Sequence, residues 1–215
     1  MSTHKPSIDP ANEGDLLGAL RHILGKELQA LDGMLPAKVI AYDRVKNRVT
    51  VQPLIMMMTT SNTTIQRATI ASIPVYQIGG GGFILNFNLN AGDLGWIKAS
   101  DRDISLFLQS YSASAPNTIR KHNFSDSVFF PDVMRGYTIA GEDVSKTVLQ
   151  NLDGSVKITL SDTMVTTKVG AVKMEVSASG VAITGGTVTH NGVNIGATHQ
   201  HGGVSVGTGI SGVPQ

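Results

Sequence analysis

Four short runs of alternating side chains dominate the last third of the chain. Val156-Lys157-Ile158-Thr159-Leu160, Val165-Thr166-Thr167-Lys168-Val169, Val172-Lys173-Met174-Glu175-Val176 and Val181-Ala182-Ile183-Thr184 are centred at 158, 167, 174 and 183. Ser, Asp, Gly and Ala turns separate them. This spacing leaves no room for helices and points to stacked β-turns of a solenoid or to an intertwined β-helix. Each run sets Val, Ile, Leu or Met on one face and Thr, Ser or Lys on the other. One such chain buries little. The apolar face needs a cover, and three chains wound about a common axis supply it symmetrically.

A second feature leads to the same oligomer. Thr198-His199-Gln200-His201-Gly202-Gly203 lies in a tail made almost wholly of Gly, Thr, Ser, Val and Asn. No Lys, Arg, Asp or Glu follows Glu175, and no Phe, Tyr or Trp follows Tyr137. On an extended strand alternate side chains share a face, so His199 and His201 point the same way. Two imidazoles make a poor metal site, because a tetrahedral site takes four ligands and an octahedral one six. On a threefold axis three chains supply six nitrogens. An all-imidazole octahedron suits Fe(II), Ni(II) or Co(II) better than Zn(II), and spacing alone says no more than a transition metal. His190 also lies in the repeat and reads as a wall residue, since it stands nine residues before His199.

Composition narrows the classes. The 215 residues allow one or two domains. Hydrophobic residues make up 41%, aromatics 5%, and there are 24 glycines, which suits short strands and turns better than a large helical core. A net charge of +1 gives no electrostatic support for nucleic-acid or anionic-membrane binding. With no cysteine, disulfides, thiol catalysis and Cys-based zinc sites are excluded. No apolar run approaches the roughly 18 residues of a membrane helix. Met1–Pro6 lacks the apolar core of a secretory signal, so the chain is expected to be made in a cytoplasm and not exported by that route.

In chain order, residues 1–33 read as a helical segment. Asp9 caps, Pro10 takes the first helical position, and Leu17, Leu20, Leu24, Leu28 and Leu31 form one apolar stripe ending near Asp32-Gly33. The stripe packs on its own domain, on sister chains or on a partner protein; the sequence does not separate these. Residues 34–110 read as a small OB-type barrel of about five strands. These include Ala37–Tyr42, Arg48–Leu54, Ile65–Val75, Phe83–Phe87 and Leu94–Ala99. Phe83, Phe87 and Trp96 read as core. Gly79–Gly82 fails as a phosphate loop, because no Gly-Lys-Ser/Thr and no helix follow it, and reads as a hairpin turn. Asp101-Arg102-Asp103 reads as a solvated turn or a structural ion pair. Residues 111–140 read as a linker or plug, with Phe129-Phe130 buried against the barrel and His122 on the surface. Residues 141–189 form the β-helix and residues 190–215 the metal-capped apex.

Several of these segments resemble one family: the central membrane-piercing spike of contractile phage tails. The resemblance rests on Gly92-Asp93-Leu94-Gly95-Trp96-Ile97, Ser100-Asp101-Arg102-Asp103-Ile104, the slender strand repeat and Asn191-Gly192-Val193. It rests above all on Thr198-His199-Gln200-His201-Gly202-Gly203-Val204 and Gly212-Val213-Pro214-Gln215. The fold it implies is mainly β: an OB-fold barrel, then an intertwined triple-stranded β-helix, with a short N-terminal α-helix, as a homotrimer. It implies an iron ion at the tip with six histidine ligands, which makes His199 and His201 the metal residues, and a place in the virion at the tail tip. Hub or baseplate proteins would hold the N-terminal end, and contact with the host outer membrane would be transient. Larger relatives carry a lysozyme domain; no matching insertion exists here, so no enzymatic activity is expected.

A filled six-imidazole shell is structural, because Lewis-acid or hydroxide chemistry needs an open position. The competing reading is a trimeric receptor-binding tail-fibre tip with a structural His-x-His site; a narrow Gly-rich apex favours the spike. A metal-dependent hydrolase and an OB-type nucleic-acid binder are weaker alternatives, the latter on charge.

Overall fold

The computed structural model describes residues 16–59, 61–134, 136–199, 203 and 207. It divides into two compact units, Met1–Arg135 and Gly136–Gln215. The protein is mainly β.

The first unit begins with helix α1 (Leu16–Ala30); the expected start at Asp9-Pro10 lies outside the described residues. The nine strands that follow are β1 (Met34–Asp43), β2 (Arg48–Pro53), β3 (Met57–Met58), β4 (Thr64–Ile65), β5 (Ile70–Pro74), β6 (Ile78–Gly80), β7 (Phe83–Leu85), β8 (Leu94–Ser100) and β9 (Asn123–Pro131). Five of them form one sheet in the order β5-β2-β1-β8-β9, every neighbour antiparallel. Its two edges meet: Val75, just past β5, bridges Phe129 of β9 in parallel, and the Tyr76 N–H donates to the Phe129 carbonyl at 2.7 Å. The result is a nearly closed, barrel-like sheet.

Alternation makes that barrel. β2 reads half-buried, buried, half-buried, buried along its length, with Val49 and Val51 inward, and β8 does the same with Ile97 and Ala99. These join Ala37, Val39, Ile73, Val75, Phe124 and Phe129 in a core at most 6% exposed. Gly95 on β8 faces Phe129 so closely that a Cβ there would lie 2.4 Å from the ring and from the Phe130 carbonyl.

Two expectations are corrected here. The fifth barrel strand comes from residues 123–131, inside the stretch 111–140 expected as a linker. That stretch hides its strand because β9 buries Phe124, Asp126, Ser127 and Phe129, which do not alternate cleanly. Conversely, Phe83–Phe87 is not a barrel strand. β6 and β7 form a separate hairpin with Phe83 81% exposed and Phe87 exposed too, so neither is core in the single chain. Gly81 and Gly82 take positive φ (58° and 86°) in its two-residue turn, the hairpin turn expected from the glycine run.

The second unit opens with a 3-10 turn (Gly141–Asp143). A five-stranded antiparallel meander follows: β10 (Thr147–Gln150), β11 (Val156–Leu160), β12 (Met164–Val169), β13 (Val172–Ser177) and β14 (Gly180–Thr184). Within one chain these strands pair only with sequence neighbours through tight turns, so the single chain is a flat meander and not a solenoid of stacked coils. A small hairpin, β15 (Thr189–His190) and β16 (Val193–Asn194), comes next. Its turn is Asn191-Gly192, with φ 49° and 80°, the pair that a type I′ turn selects.

Candidate functional site

Two places in the second unit carry the sequence-derived expectations: the broad faces of the meander and the segment that leads to His199.

Register sorts the meander's side chains. Leu149, Ile158, Thr167, Met174 and Ile183 stand abreast across all five strands. Beside that row lie Leu160, Val165, Val176 and Val181, and on its other side Val156, Val169 and Val172. The eleven large apolar residues of this face are 39–65% exposed. The opposite face is polar, yet it is the more covered one. Lys157 and Thr159 are buried, and Lys157, Lys168 and Lys173 sit directly opposite one another.

Three like charges abreast repel, and carboxylates offset them. The Asp143 carboxylate from the 3-10 turn is in ion-pair contact with the Lys157 ammonium and accepts from the Lys146 Nζ at 2.9 Å. Lys157 also reaches Glu142 at 3.2 Å, Lys168 approaches Glu142 at 4.0 Å, and Lys173 pairs with Glu175 at 2.9 Å. Bonds from Lys157 and then Lys146 hold the Asp143 carboxyl below the usual carboxylate range, and Asp143 in turn raises Lys157. The sequence reading missed this pair because Asp143 lies in an irregular turn with no periodic signature.

The approach to His199 is built from Asn194 and Gly196. Asn194 Oδ1 accepts from the Gly196 N–H at 2.9 Å, its Nδ2 donates to Thr198 Oγ1 at 2.9 Å, and the His199 N–H donates to the Gly196 carbonyl at 3.1 Å. The His199 ring is exposed, with Nδ1 at 2.6 Å from the same carbonyl. A proton on Nδ1 satisfies that contact and leaves the lone pair on Nε2, the tautomer of a metal-ligating imidazole. His201, the other expected ligand, lies outside the described residues. Among the described residues no group of three or more His, Cys, Asp or Glu is placed to hold a metal. His190 lies on β15, exposed.

The remaining candidates in the first unit are structural. Asp103 of the Asp-Arg-Asp triplet is buried and receives Thr118 Oγ1 at 2.7 Å and Arg120 Nη2 at 3.1 Å; Arg120 also pairs with Asp126 at 3.0 Å. The structural ion pair expected for that triplet is thus made by Asp103, with a partner the sequence reading left on a linker. His122 is half-buried beside Asp101, at 3.9 Å. Trp96 lies half-buried with its Nε1 donating to Asp132 at 2.8 Å, at the rim of the core rather than in it.

Residues 35–132 match a family described as the Phage protein Gp138 N-terminal domain. The barrel matches a phage protein domain. The match runs from the first barrel strand to the end of the last and stops before the meander and the histidine segment. It supports a phage structural protein with a virion-associated location. No curated protein matches the chain.

Proposed function

We propose that this chain is the central spike at the tip of a contractile phage tail tube: a homotrimer that pierces the host outer membrane, its tip fastened by one iron ion. The observation that carries the reading is the uncovered apolar face of the meander. A sheet that buries Lys157 and presents eleven Val, Leu, Ile and Met side chains to water is half of an interface. Fully burying such a side chain from water is worth roughly 1.5–3 kcal/mol, and at 39–65% exposure about half of that remains to be gained by each. Three copies about one axis turn three such faces inward and leave the lysine faces outside. In a slender trimer of this kind the strands of the three chains form the triple-stranded β-helix. The phage-domain match at the barrel supports the same reading.

The uncharged end fits passage through a bilayer. No ionisable side chain other than histidine follows Glu175, and each charge at mid-bilayer costs about 2.5–3.5 kcal/mol on insertion scales. Three chains multiply that cost. Contraction of the sheath supplies the driving force, so the spike needs stiffness rather than a substrate pocket, and no enzymatic step is assigned to it. The barrel end is proposed to sit on the tail hub.

His199 and His201 of each copy would hold the iron. The Nδ1 contact of His199 with Gly196 fits that role, since it points the chemistry to Nε2. Bound there with its shell filled, the ion ties chain ends together. Metal analysis of the purified protein tests this: about one iron per three chains is expected, lost in the His199→Ala/His201→Ala double variant. A metal-free wild type contradicts it.

A further inference from the structure

A cationic cavity opens where β2 and β5 lose register. Val49 pairs with Ile73 and Val51 with Ile70, so Ala71 and Ser72 together oppose Thr50 in a bulge. Ser72 takes a left-handed φ of 57°, a strained conformation for a residue with a Cβ. Its carbonyl accepts from Arg48 Nη1 at 3.4 Å and so orients the guanidinium.

Two further walls are fixed by hydrogen bonds. Asn47, between Lys46 and Arg48, donates from Nδ2 to the Val75 carbonyl at 2.8 Å and accepts from Gln77 Nε2 at 2.8 Å. On the other side the Leu108 N–H donates to the Ile104 carbonyl at 3.0 Å, a helical turn that runs into a short helix α2 (Phe107–Ser110). Spacings of three and four put Ser105, Leu108 and Gln109 on one face of that turn. Lys46, Arg48, Ser72, Ser105, Leu108 and Gln109 line an open cavity of about 560 Å³.

Donors in this cavity outnumber their partners. Arg48 is half-buried and meets no carboxylate among the described residues, whereas Arg67 and Arg120 each pair with an aspartate. Lys46 reaches Asp43 at 3.6 Å with its side chain 77% exposed, so its ammonium can swing. The Ser105 hydroxyl oxygen is buried and makes no hydrogen bond. Asp103 lies beside it, but it does not line the cavity and its charge is met by Arg120. A half-buried guanidinium, a lysine and an unused buried hydroxyl around one cavity free of lining carboxylates form an anion receptor.

We propose that this cavity binds a phosphate-class oxyanion, either inorganic phosphate or the phosphate monoester of a lipid headgroup. The planar fork of Arg48 takes two oxygens, the Ser105 hydroxyl donates to a third, and Lys46 adds charge. The site lies wholly in the barrel and does not depend on the trimeric spike.

Titration calorimetry of the full-length protein with inorganic phosphate tests it. Saturable binding with a Kd of about 1 mM or tighter is expected. Arg48→Gln should weaken it about tenfold or more, and Ser105→Ala about threefold or more. Lys38→Gln, exposed on β1 and outside the cavity, should leave it unchanged. Trp96 fluorescence checks that each variant keeps a folded barrel, and Ser105→Ala carries the test if Arg48→Gln does not fold. Vesicles of phosphatidylcholine with and without phosphatidic acid separate the two sources. Retention that requires phosphatidic acid and is lost in Ser105→Ala assigns the headgroup; phosphate binding without retention assigns the free ion. Absence of both phosphate binding and such retention overturns the site. So does a wild-type affinity retained in both Arg48→Gln and Ser105→Ala, or an equal loss in Lys38→Gln, which would reduce the effect to net charge.

Discussion

Asp103 shows how a single carboxylate ties Ser105 to Thr118 and Arg120. Ser105 lies beside it, its hydroxyl close but not aligned for a hydrogen bond and its N–H donating at 2.9 Å; Thr118 and Arg120 complete the shell. These contacts, Ser105 first, hold the Asp103 carboxyl far below its ordinary range. A depressed folded pKa means that the stabilisation is fully present above the unfolded value of about 3.9 and is lost as pH falls from there toward the folded one. Acid unfolding of the barrel, followed by fluorescence of the single Trp96, should therefore steepen below about pH 4. Asp103→Asn should flatten that dependence; an unchanged profile would count against the assignment. In the second unit, Asp143→Ala strands the buried Lys157 with Glu142 alone. Breaking a buried pair from one side costs roughly 3–5 kcal/mol. The lower end is expected here, because Glu142 is itself exposed and still reaches Lys157. The paired Asp143→Leu/Lys157→Met variant should recover most of the loss in denaturant unfolding. The ligand role expected for His199 stays a proposal at this scale, since His201 lies outside the described residues. The Asp143–Lys157 and Asp103–Arg120 pairs were not legible, because they join irregular segments across 14 and 17 positions with no periodic signature.

Among the elements, the meander was the easiest to read. The four alternating runs expected at 156–160, 165–169, 172–176 and 181–184 became β11 to β14, with ends moved by at most one residue. A strict period of two, with Gly170 in one turn and Gly180 opening β14 right after another, leaves little choice. β10 escaped notice because Val148 and Leu149 are adjacent and break the alternation. β7 misled because Phe83-Ile84-Leu85 has the composition of a core strand, and composition does not say which chain it will pack against. The open apolar face gives an element-scale test. Ile158→Lys, in its middle row, should convert the oligomer to monomers in size-exclusion chromatography with light scattering. Lys168→Thr, on the opposite face, should leave the mass unchanged. If Ile158→Lys keeps the wild-type mass, this face is not the interface. In the barrel, Gly95→Ala meets Phe129 and the Phe130 backbone, and overpacking of this kind costs about 1–3 kcal/mol. A lowered midpoint in Trp96-monitored unfolding is the expected outcome.

For the whole molecule, the sequence made the mainly β class legible, through alternating runs, scarce aromatics and abundant glycine. The limits of the barrel were not legible, since its fifth strand lies beyond Ser112–Asn117, where turn-rich sequence suggested a boundary. What unites the elements is that the chain leaves apolar surfaces open in both of its units: the α1 leucines in the first and the meander's eleven in the second. No rearrangement within five tight-turned strands can hide a face that every strand presents to the same side. Association of identical chains is the economical way to close that face. The native mass of the full-length protein, by sedimentation equilibrium across a range of dilution, tests that claim most directly. A single species of three 22.7 kDa chains that persists on dilution is expected. A folded 22.7 kDa monomer with the same β content would contradict the trimer, and with it the spike.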